Sequence, residues 1–269
     1  MKQFILNKEP DDSIVRLDGD DFRYLVRVRR LAVGEFFPAL LPGGAETLVQ
    51  VLSIDRGVLT GKCQNSPEAA GQPVFKEAAA LDTNLPPVIL LQALPKGEKM
   101  DLIVRQAAEG GIAEVVPFLS EFSVAKTGAG GQKFSRWERI IKEARQQSGS
   151  KTATTIRRPL KKTELFDYWK NLKEAGALGL LFHHRGLEQK SLHSYLDNSP
   201  SVVALAVGPE GGFSDTEVSL FLENGFKPLT IGDTILRTET AALYCAAAVR
   251  ILLLERNSWE LKQVKTGSV

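Results

Sequence analysis

The sequence predicts an α/β protein in which a parallel sheet covered by helices follows a small β-rich domain. From about residue 86 short apolar runs alternate with amphipathic stretches at helical spacing. Those runs lack the polar alternation of a half-exposed strand, so both of their faces are buried, as in a parallel sheet covered by helices. The first seventy or so residues carry instead short runs of Val, Leu and Phe separated by turn residues. A chain of 269 residues suits one large domain or two modest ones. With 43% hydrophobic and 25% charged residues it lies in the ordinary globular range, which excludes a disordered or fibrous protein.

In chain order, Asp20–Leu31 spaces Phe22, Leu25, Val26 and Leu31 as a helix, and the same stretch bears Arg23, Arg27, Arg29 and Arg30. Glu35–Leu41, Thr47–Ile54 and Val58–Cys63 read as strands. Pro42-Gly43-Gly44 and Asp55-Arg56-Gly57 separate them, because Gly supplies positive φ and Asp bonds its own backbone. Gln64–Pro73 is a linker by composition, so residues 1–72 are expected to form the first domain and 73–269 the second. The second domain is predicted to begin with strand Val88–Leu91 and helix Glu98–Glu109, with Met100, Ile103, Val104 and Ala107 on one face. Strand Val115–Phe118 and helix Phe134–Gln147 follow. Then come strand Leu178–Phe182, helix Leu187–Leu196, strand Val202–Val207, helix Thr216–Glu223, strand Leu229–Ile231 and helix Ala241–Glu255. The last helix is apolar nearly all the way round, so it must be buried on more than one side. Its neighbour is either its own domain or a second copy of the chain, and the second is the expectation.

Other classes are excluded by composition. Uncharged apolar stretches such as Val202–Val207 and Ala177–Phe182 fall far short of the ~20 residues of a membrane span. Met1–Pro10 has no signal-peptide core. Cys63 and Cys245 stand far apart, and no CxxC or HExxH spacing occurs, so no metal site is expected. A cytoplasmic protein is the expectation. The net charge of +2 hides an asymmetry: Lys126 to Lys162 holds eleven Lys/Arg against two acids, and Pro200 to Ala241 six acids against two bases. The basic segment, with Phe134 and Trp137 among its cations, suits a phosphate-rich partner as well as it suits a solvated face.

Val207-Gly208-Pro209-Glu210-Gly211-Gly212-Phe213-Ser214 directly follows a buried strand, and ligands of open α/β sheets bind at the carboxyl ends of strands. Gly208, Gly211 and Gly212 clear side chains for a ligand, Pro209 stiffens the turn, and Ser214 with Glu217 forms a capping box. A tight turn would account for the glycines, but not for Glu210. The spacing fits neither GxGxxG nor GxxxxGK[ST], which argues against nicotinamide and against a phosphate-cradling P-loop. The second loop is Ile231-Gly232-Asp233-Thr234-Ile235-Leu236-Arg237-Thr238-Glu239-Thr240-Ala241. Here Thr238 can cap the last helix and Glu239 suits its first turn, whereas Arg237 sits at the wrong end of the dipole. Arg237 either pairs with Glu239 or Glu210 or meets an anion. With Phe182 and His183 after a third strand, the loops outline one pocket. Ile231 and Leu236 suit a flat heterocycle such as adenine, and the acidic rim suits a cationic ligand. No catalytic role falls to His183, His184 or His193.

Gly208 to Ser214, Ile231-Gly232 and Ile235 to Ala241 together resemble the paired signature of the RsmE family, ribosomal RNA small-subunit methyltransferases of the SPOUT superfamily. Tyr24 to Leu31 resembles the family's N-terminal RNA-binding element, and Lys96 to Asp101 with Glu109-Gly110-Gly111 the start of its catalytic domain. Arg136-Trp137, Glu143-Ala144 and Gln147-Ser148 resemble its central helix. Ser150 departs from a family arginine, a contact that Arg145 or Lys151 could take, and Gly110 stands where leucine is common. The resemblance implies a PUA-like β-barrel, then a SPOUT-type trefoil-knotted parallel sheet that binds S-adenosylmethionine. It also implies a homodimer and methylation of N3 of one uridine in the decoding region of 16S ribosomal RNA, within the 30S subunit. By the same resemblance Phe182, His183, Gly208, Pro209, Glu210, Gly211, Gly212, Ile231, Gly232, Leu236, Thr238, Glu239, Thr240 and Ala241 would hold the cofactor. Arg237 would stabilise a uridine anion, with Glu210 orienting it or balancing the sulfonium. Arg23, Arg27, Arg29, Arg30, Lys126, Arg136, Arg145, Gln147 and Lys151 would hold RNA. A non-catalytic RNA-binding or assembly factor on the same fold is the alternative, and it predicts no S-adenosylmethionine binding.

Overall fold

The structure, a computed structural model, describes residues 4–64, 85–123, 131–184 and 186–265. The chain divides into two compact units, Met1–Ala79 with Arg145–Ala153, and Ala80–Ala144 with Thr154–Val269. The expected boundary at residues 72 and 73 lies outside the described residues.

In the first unit β1 (Phe4–Ile5), β2 (Ile14–Leu17), β3 (Phe36–Leu40), β4 (Glu46–Asp55) and β5 (Val58–Gln64) form a half-barrel sheet in the order β1-β3-β4-β5-β2. Arg56 and Gly57, both at positive φ, close the β4–β5 hairpin, which is the two-residue turn that suits the twist of paired strands. Phe4, Leu25, Phe37, Val49 and Leu59 fill the interior. The helix expected over Asp20–Leu31 is shorter and irregular. A turn of α-helix, α1 (Gly19–Phe22), widens into a π-helical stretch Arg23–Val28, whose end is set by the Arg29 N–H donating to the Tyr24 carbonyl at 2.9 Å. Arg30 then leaves the helix at φ 57°.

The second unit is a six-stranded, all-parallel sheet ordered β11-β9-β10-β6-β7-β8. Its strands are β6 (Val88–Ala93), β7 (Glu114–Phe118), β8 (Thr155–Ile156), β9 (Leu178–Phe182), β10 (Val203–Val207) and β11 (Lys227–Leu229). Every residue of the central β6 and β10 is buried, as their unbroken apolar sequences require. Alternate residues serve opposite faces. Val88 and Leu90 join α2 (Lys99–Glu109), α3 (Gly131–Ser148) and α7 (Thr238–Lys265) through Ile103, Trp137, Ile141, Cys245 and Val249. Ile89 and Leu91 join α4 (Lys162–Glu174) and α6 (Asp215–Glu223) through Leu165, Trp169, Val218 and Phe221. Among the described residues no helix is long and apolar enough to cross a membrane.

The structure alters several expected elements. Helix α4 is absent from the alternation read in the sequence; Leu165, Trp169 and Leu172 do recur on one helical face, but among a majority of polar residues. Of the helix expected over Leu187–Leu196 only α5 (Leu192–Leu196) forms, started by the Ser191 hydroxyl accepting from the Ser194 N–H at 3.2 Å. The strand expected over Leu229–Ile231 stops at Leu229. The Thr230 N–H donates instead to the Gln189 side chain at 2.7 Å, and the Thr230 hydroxyl to the His183 carbonyl at 3.0 Å. Helix α7 begins at Thr238, three residues before its expected start at Ala241.

Candidate active site

A cavity of about 480 Å³ opens at the carboxyl ends of β9, β10 and β11. The two glycine-bearing loops do not follow neighbouring strands. Strand β9 lies between β10 and β11, so the loops converge from either side over Phe182 and His183 at its end. Phe182, His183, Gly208, Pro209, Glu210, Gly211, Gly212, Ile231, Gly232, Leu236, Arg237, Thr238 and Ala241 all line this one cavity. Glu239 and Thr240 occupy the first turn of α7 and are not among the lining residues. Lys99, His184, Thr230, Thr234 and Ile235 complete the wall, and the sequence assigned none of them to the cofactor.

The glycines serve the turn as much as any ligand. Gly212 stands at φ 70°, where a side chain is strained, and its N–H closes the turn onto the Pro209 carbonyl at 2.9 Å. A Cβ on Gly208 would stand 3.0 Å from the Gly212 carbonyl carbon, and one on Gly211 would stand 3.1 Å from Cβ of Phe122. The capping box forms as expected, with the Ser214 hydroxyl accepting from the Glu217 N–H and the Ser214 N–H donating to the Glu217 carboxylate, both at 3.2 Å.

Thr238 does not cap α7 with its side chain. Its hydroxyl donates to the Gly208 carbonyl at 2.6 Å and accepts from the Gln92 amide at 3.0 Å, so it ties the two loops to each other and to β6. Gln92 is fully buried at a strand position and therefore looks like a defect in an apolar run. The network accounts for its amide nitrogen, which also donates to the Ala93 carbonyl at 2.9 Å, while its Oε1 is buried without a partner among the described residues. Buried polar groups persist where such bonds satisfy them.

Glu210 does not pair with Arg237. Lys99 Nζ lies 2.8 Å from Glu210 Oε1 and 3.8 Å from Glu239 Oε2, and the Lys96 N–H donates to both Glu210 oxygens at 3.1 and 3.2 Å. The idea that Glu210 orients Arg237 is thereby corrected; no side-chain partner holds Arg237 among the described residues, and it lies exposed on the cavity wall. Burial alone would raise the Glu210 carboxyl, but the bonds from Lys99 and from the backbone outweigh it and hold the group below the ordinary carboxylate value. A carboxyl depressed in the folded state adds stability above its unfolded value, which is lost as pH falls through the folded one. Lys99→Met should accordingly lower the urea midpoint at neutral pH, and its gap to the parent should close below the carboxylate range. A gap that persists unchanged in acid would detach Glu210 from Lys99.

The expected RNA contacts divide. Arg27, Arg30, Arg136, Gln147 and Lys151 are exposed, as is Arg23, which pairs with Asp20. Arg136 is held 2.6 Å from Asp101 and Lys151 3.1 Å from Glu46. Arg29 is half-buried. Arg145 differs from these: only 6% of it is exposed, two of its guanidinium nitrogens are buried without a hydrogen bond among the described residues, and desolvation lowers its pKa. An interior guanidinium is poorly placed to meet a backbone phosphate, and Lys151 remains for the contact that Ser150 lacks. Lys126 lies outside the described residues.

A family model described as an RNA methyltransferase domain matches residues 83–250. The chain is 33% identical over 247 residues to ribosomal RNA small subunit methyltransferase E of a Synechocystis species, covering 90% of this chain and 74% of that protein. It is 34% identical over 166 residues to the Aquifex aeolicus protein of the same name, covering 61% and 69%. In structure it is similar to a ribosomal RNA small subunit methyltransferase E from Neisseria gonorrhoeae bound to S-adenosylmethionine. The TM-score there is 0.75 with 22% identity, over 94% of this chain and 98% of that one. A Legionella pneumophila protein with S-adenosylmethionine bound as cofactor superposes with a TM-score of 0.69 at 25% identity, over 93% of this chain and 95% of that one.

Proposed function

The chain belongs to the RsmE family of ribosomal RNA small-subunit methyltransferases, and from that membership we propose that it transfers a methyl group from S-adenosylmethionine to N3 of one uridine in 16S ribosomal RNA. The observation that carries this reading is the cavity at the strand ends, walled by two loops that Thr238 ties together, with Glu210 lining it and Arg237 on its wall without a side-chain partner among the described residues.

The residues present fit S-adenosylmethionine. The cavity's volume of about 480 Å³ lies within the range of small-molecule sites, about 300–1,000 Å³. Val207, Ile231, Leu236 and Ala241 offer apolar wall to adenine, and the loop backbone offers the neighbouring donors and acceptors. Glu210, kept ionised by Lys99 and the Lys96 N–H, supplies negative charge toward a cationic ligand. When bound, S-adenosylmethionine supplies a methyl group on a positively charged sulfur.

The remaining chemistry falls to the protein. Displacement at carbon needs the nucleophile held in line at about 3–3.5 Å, so positioning is the principal task of the rigid loops. N3 of uridine carries a proton and is a poor nucleophile until that proton departs. Arg237 stabilises the negative charge that then develops on the uracil, its planar fork of donors matching a carbonyl oxygen. The exposed cations Arg23, Arg27, Arg30, Arg136 and Lys151 hold the RNA backbone, with the 30S subunit presenting the target. A ribosomal RNA substrate supports a cytoplasmic location for the enzyme.

The exposed Leu243, Tyr244 and Ile251 of α7 suit a second copy of the chain, so the working form is a homodimer. The deciding experiment is calorimetric titration with S-adenosylmethionine, followed by mapping of the nucleotide methylated in small subunits that lack the modification. Saturable binding and one new N3-methyluridine are expected. Absence of donor binding would leave a non-catalytic RNA-binding protein.

A further inference from the structure

Phe122 lies beside the cavity with 46% of its surface exposed, and among the described residues the other exposed large aromatic is Tyr244 on α7. Nothing about fold stability calls for this ring. The core of the same face is already filled by Phe118, Phe213 and Phe221, whose rings stack or meet edge-on within 6.2 Å of one another. A phenyl group left nearly half in water adds little to that core.

The turn that carries it is nonetheless held at many points. The Ser123 N–H donates to the Ser120 carbonyl at 3.0 Å, and the Ser120 N–H to the Ser123 hydroxyl at 3.2 Å. Glu217, buried to 2% exposure at the start of α6, accepts from the Ser120 hydroxyl at 3.0 Å and the Glu121 N–H at 2.8 Å. The Ser214 hydroxyl donates to the Glu121 carboxylate at 2.7 Å. One buried carboxylate thus fixes the Phe122 turn to the same helix start that ends the Gly208–Gly212 loop. Fixed in this way, Phe122 sits against Gly211, whose missing side chain makes room for it, and Gly211 lines the cavity. Rigid aromatic surface at the mouth of a site that acts on RNA has an evident use, because an unstacked base needs a flat apolar surface to replace its lost neighbours.

We propose that Phe122 is the stacking platform on which this enzyme holds the unpaired target base beside the cavity. The inference rests on the function proposed above and adds to it a residue that touches the RNA substrate. A flat ring stacks on any base, so Phe122 secures the base in place while the choice of nucleotide falls to other contacts.

The test compares Phe122→Ala, Phe122→Leu and Phe122→Trp in the full chain, with small ribosomal subunits lacking the modification as substrate. Phe122→Ala should lower kcat/KM for RNA by about 10- to 100-fold, the usual range for loss of one base–aromatic stack, and leave the Kd for S-adenosylmethionine unchanged. Phe122→Trp should keep most of the activity. Phe122→Leu, apolar but not flat, should fall with the alanine variant, and this contrast separates stacking from mere packing even if Phe122→Ala folds poorly. Parent-like kcat/KM in Phe122→Ala, or leucine performing as well as tryptophan, overturns the platform and leaves the methyltransferase reading intact. A parent protein that binds the methyl donor yet methylates no small-subunit RNA overturns both.

Discussion

Arg237→Ala should fold as the parent does, bind S-adenosylmethionine with parental affinity, and transfer methyl groups about 10²–10³-fold more slowly, the usual cost of removing one donor aimed at developing negative charge. Three features of the residue lead to this expectation. It lies on the wall of the cavity, it is exposed, and it precedes α7 at the end of the helix dipole that mildly repels a cation. A guanidinium without a side-chain partner among the described residues, while Glu210 and Glu239 lie against Lys99 instead, contributes nothing evident to stability. Thermal unfolding and donor titration would establish that the variant is intact, and single-turnover methylation would report the chemical step. Arg237→Lys should recover little, because a point charge does not reproduce the planar fork. Near-parental turnover by the alanine variant would remove Arg237 from the mechanism.

Thr238→Val should damage the site by a different route. Valine matches threonine in shape but leaves the Gly208 carbonyl without its 2.6 Å donor and the buried Gln92 amide without its 3.0 Å acceptor. Leaving such groups unsatisfied costs about 1–3 kcal/mol. In a domain of this size each kcal/mol lowers Tm by about 2–4 °C. The effect on function should be larger than the effect on stability, because the lost bond is the one that joins the two loops. Affinity for S-adenosylmethionine should fall by about tenfold, or ~1.4 kcal/mol. Thr238→Ser, which keeps the hydroxyl, should restore it. Differential scanning calorimetry and donor titration on the three proteins check both halves, and unchanged donor affinity in the valine variant would show that the loops hold their places without the tie.

Much of the site was legible because its chemistry is local. The Ser214–Glu217 capping box is a contact between residues three apart, and the Gly208–Gly212 turn is fixed by the conformations its own residues allow. Strands β6, β9 and β10 were legible for a related reason, since an apolar run without polar alternation can be satisfied only by burial on both faces. The first and last residues of other elements were not, and Thr230 shows why. Its N–H could have continued β11, and a side chain far away in the sequence, Gln189, took it instead. Helix α4 carries a readable apolar stripe, but Lys, Glu and Asp dilute it until packing against β7 and α6 decides the matter.

Glu210, Lys99 and Arg237 mark the boundary of sequence reasoning most clearly. Composition and turn chemistry placed an acid between glycines and a cation ahead of a helix. Which charges meet depends on where the start of α2 lies relative to the end of β10, a relation fixed by strand order and by the helices packed on the sheet. Gln92 teaches the same lesson from the opposite direction: a polar residue in an apolar strand has a meaning only once Thr238 is found beside it. By itself the sequence determined the class of fold, the loops that would carry chemistry and the residue types available there, because those follow from backbone preference and burial within a few residues. The tertiary structure alone decided that β9 separates the two loops, that Lys99 rather than Arg237 pairs with Glu210, and that Phe122 fills the space beside Gly211. Contacts between residues distant in the chain are selected by the packing of whole elements, which no short stretch of sequence encodes.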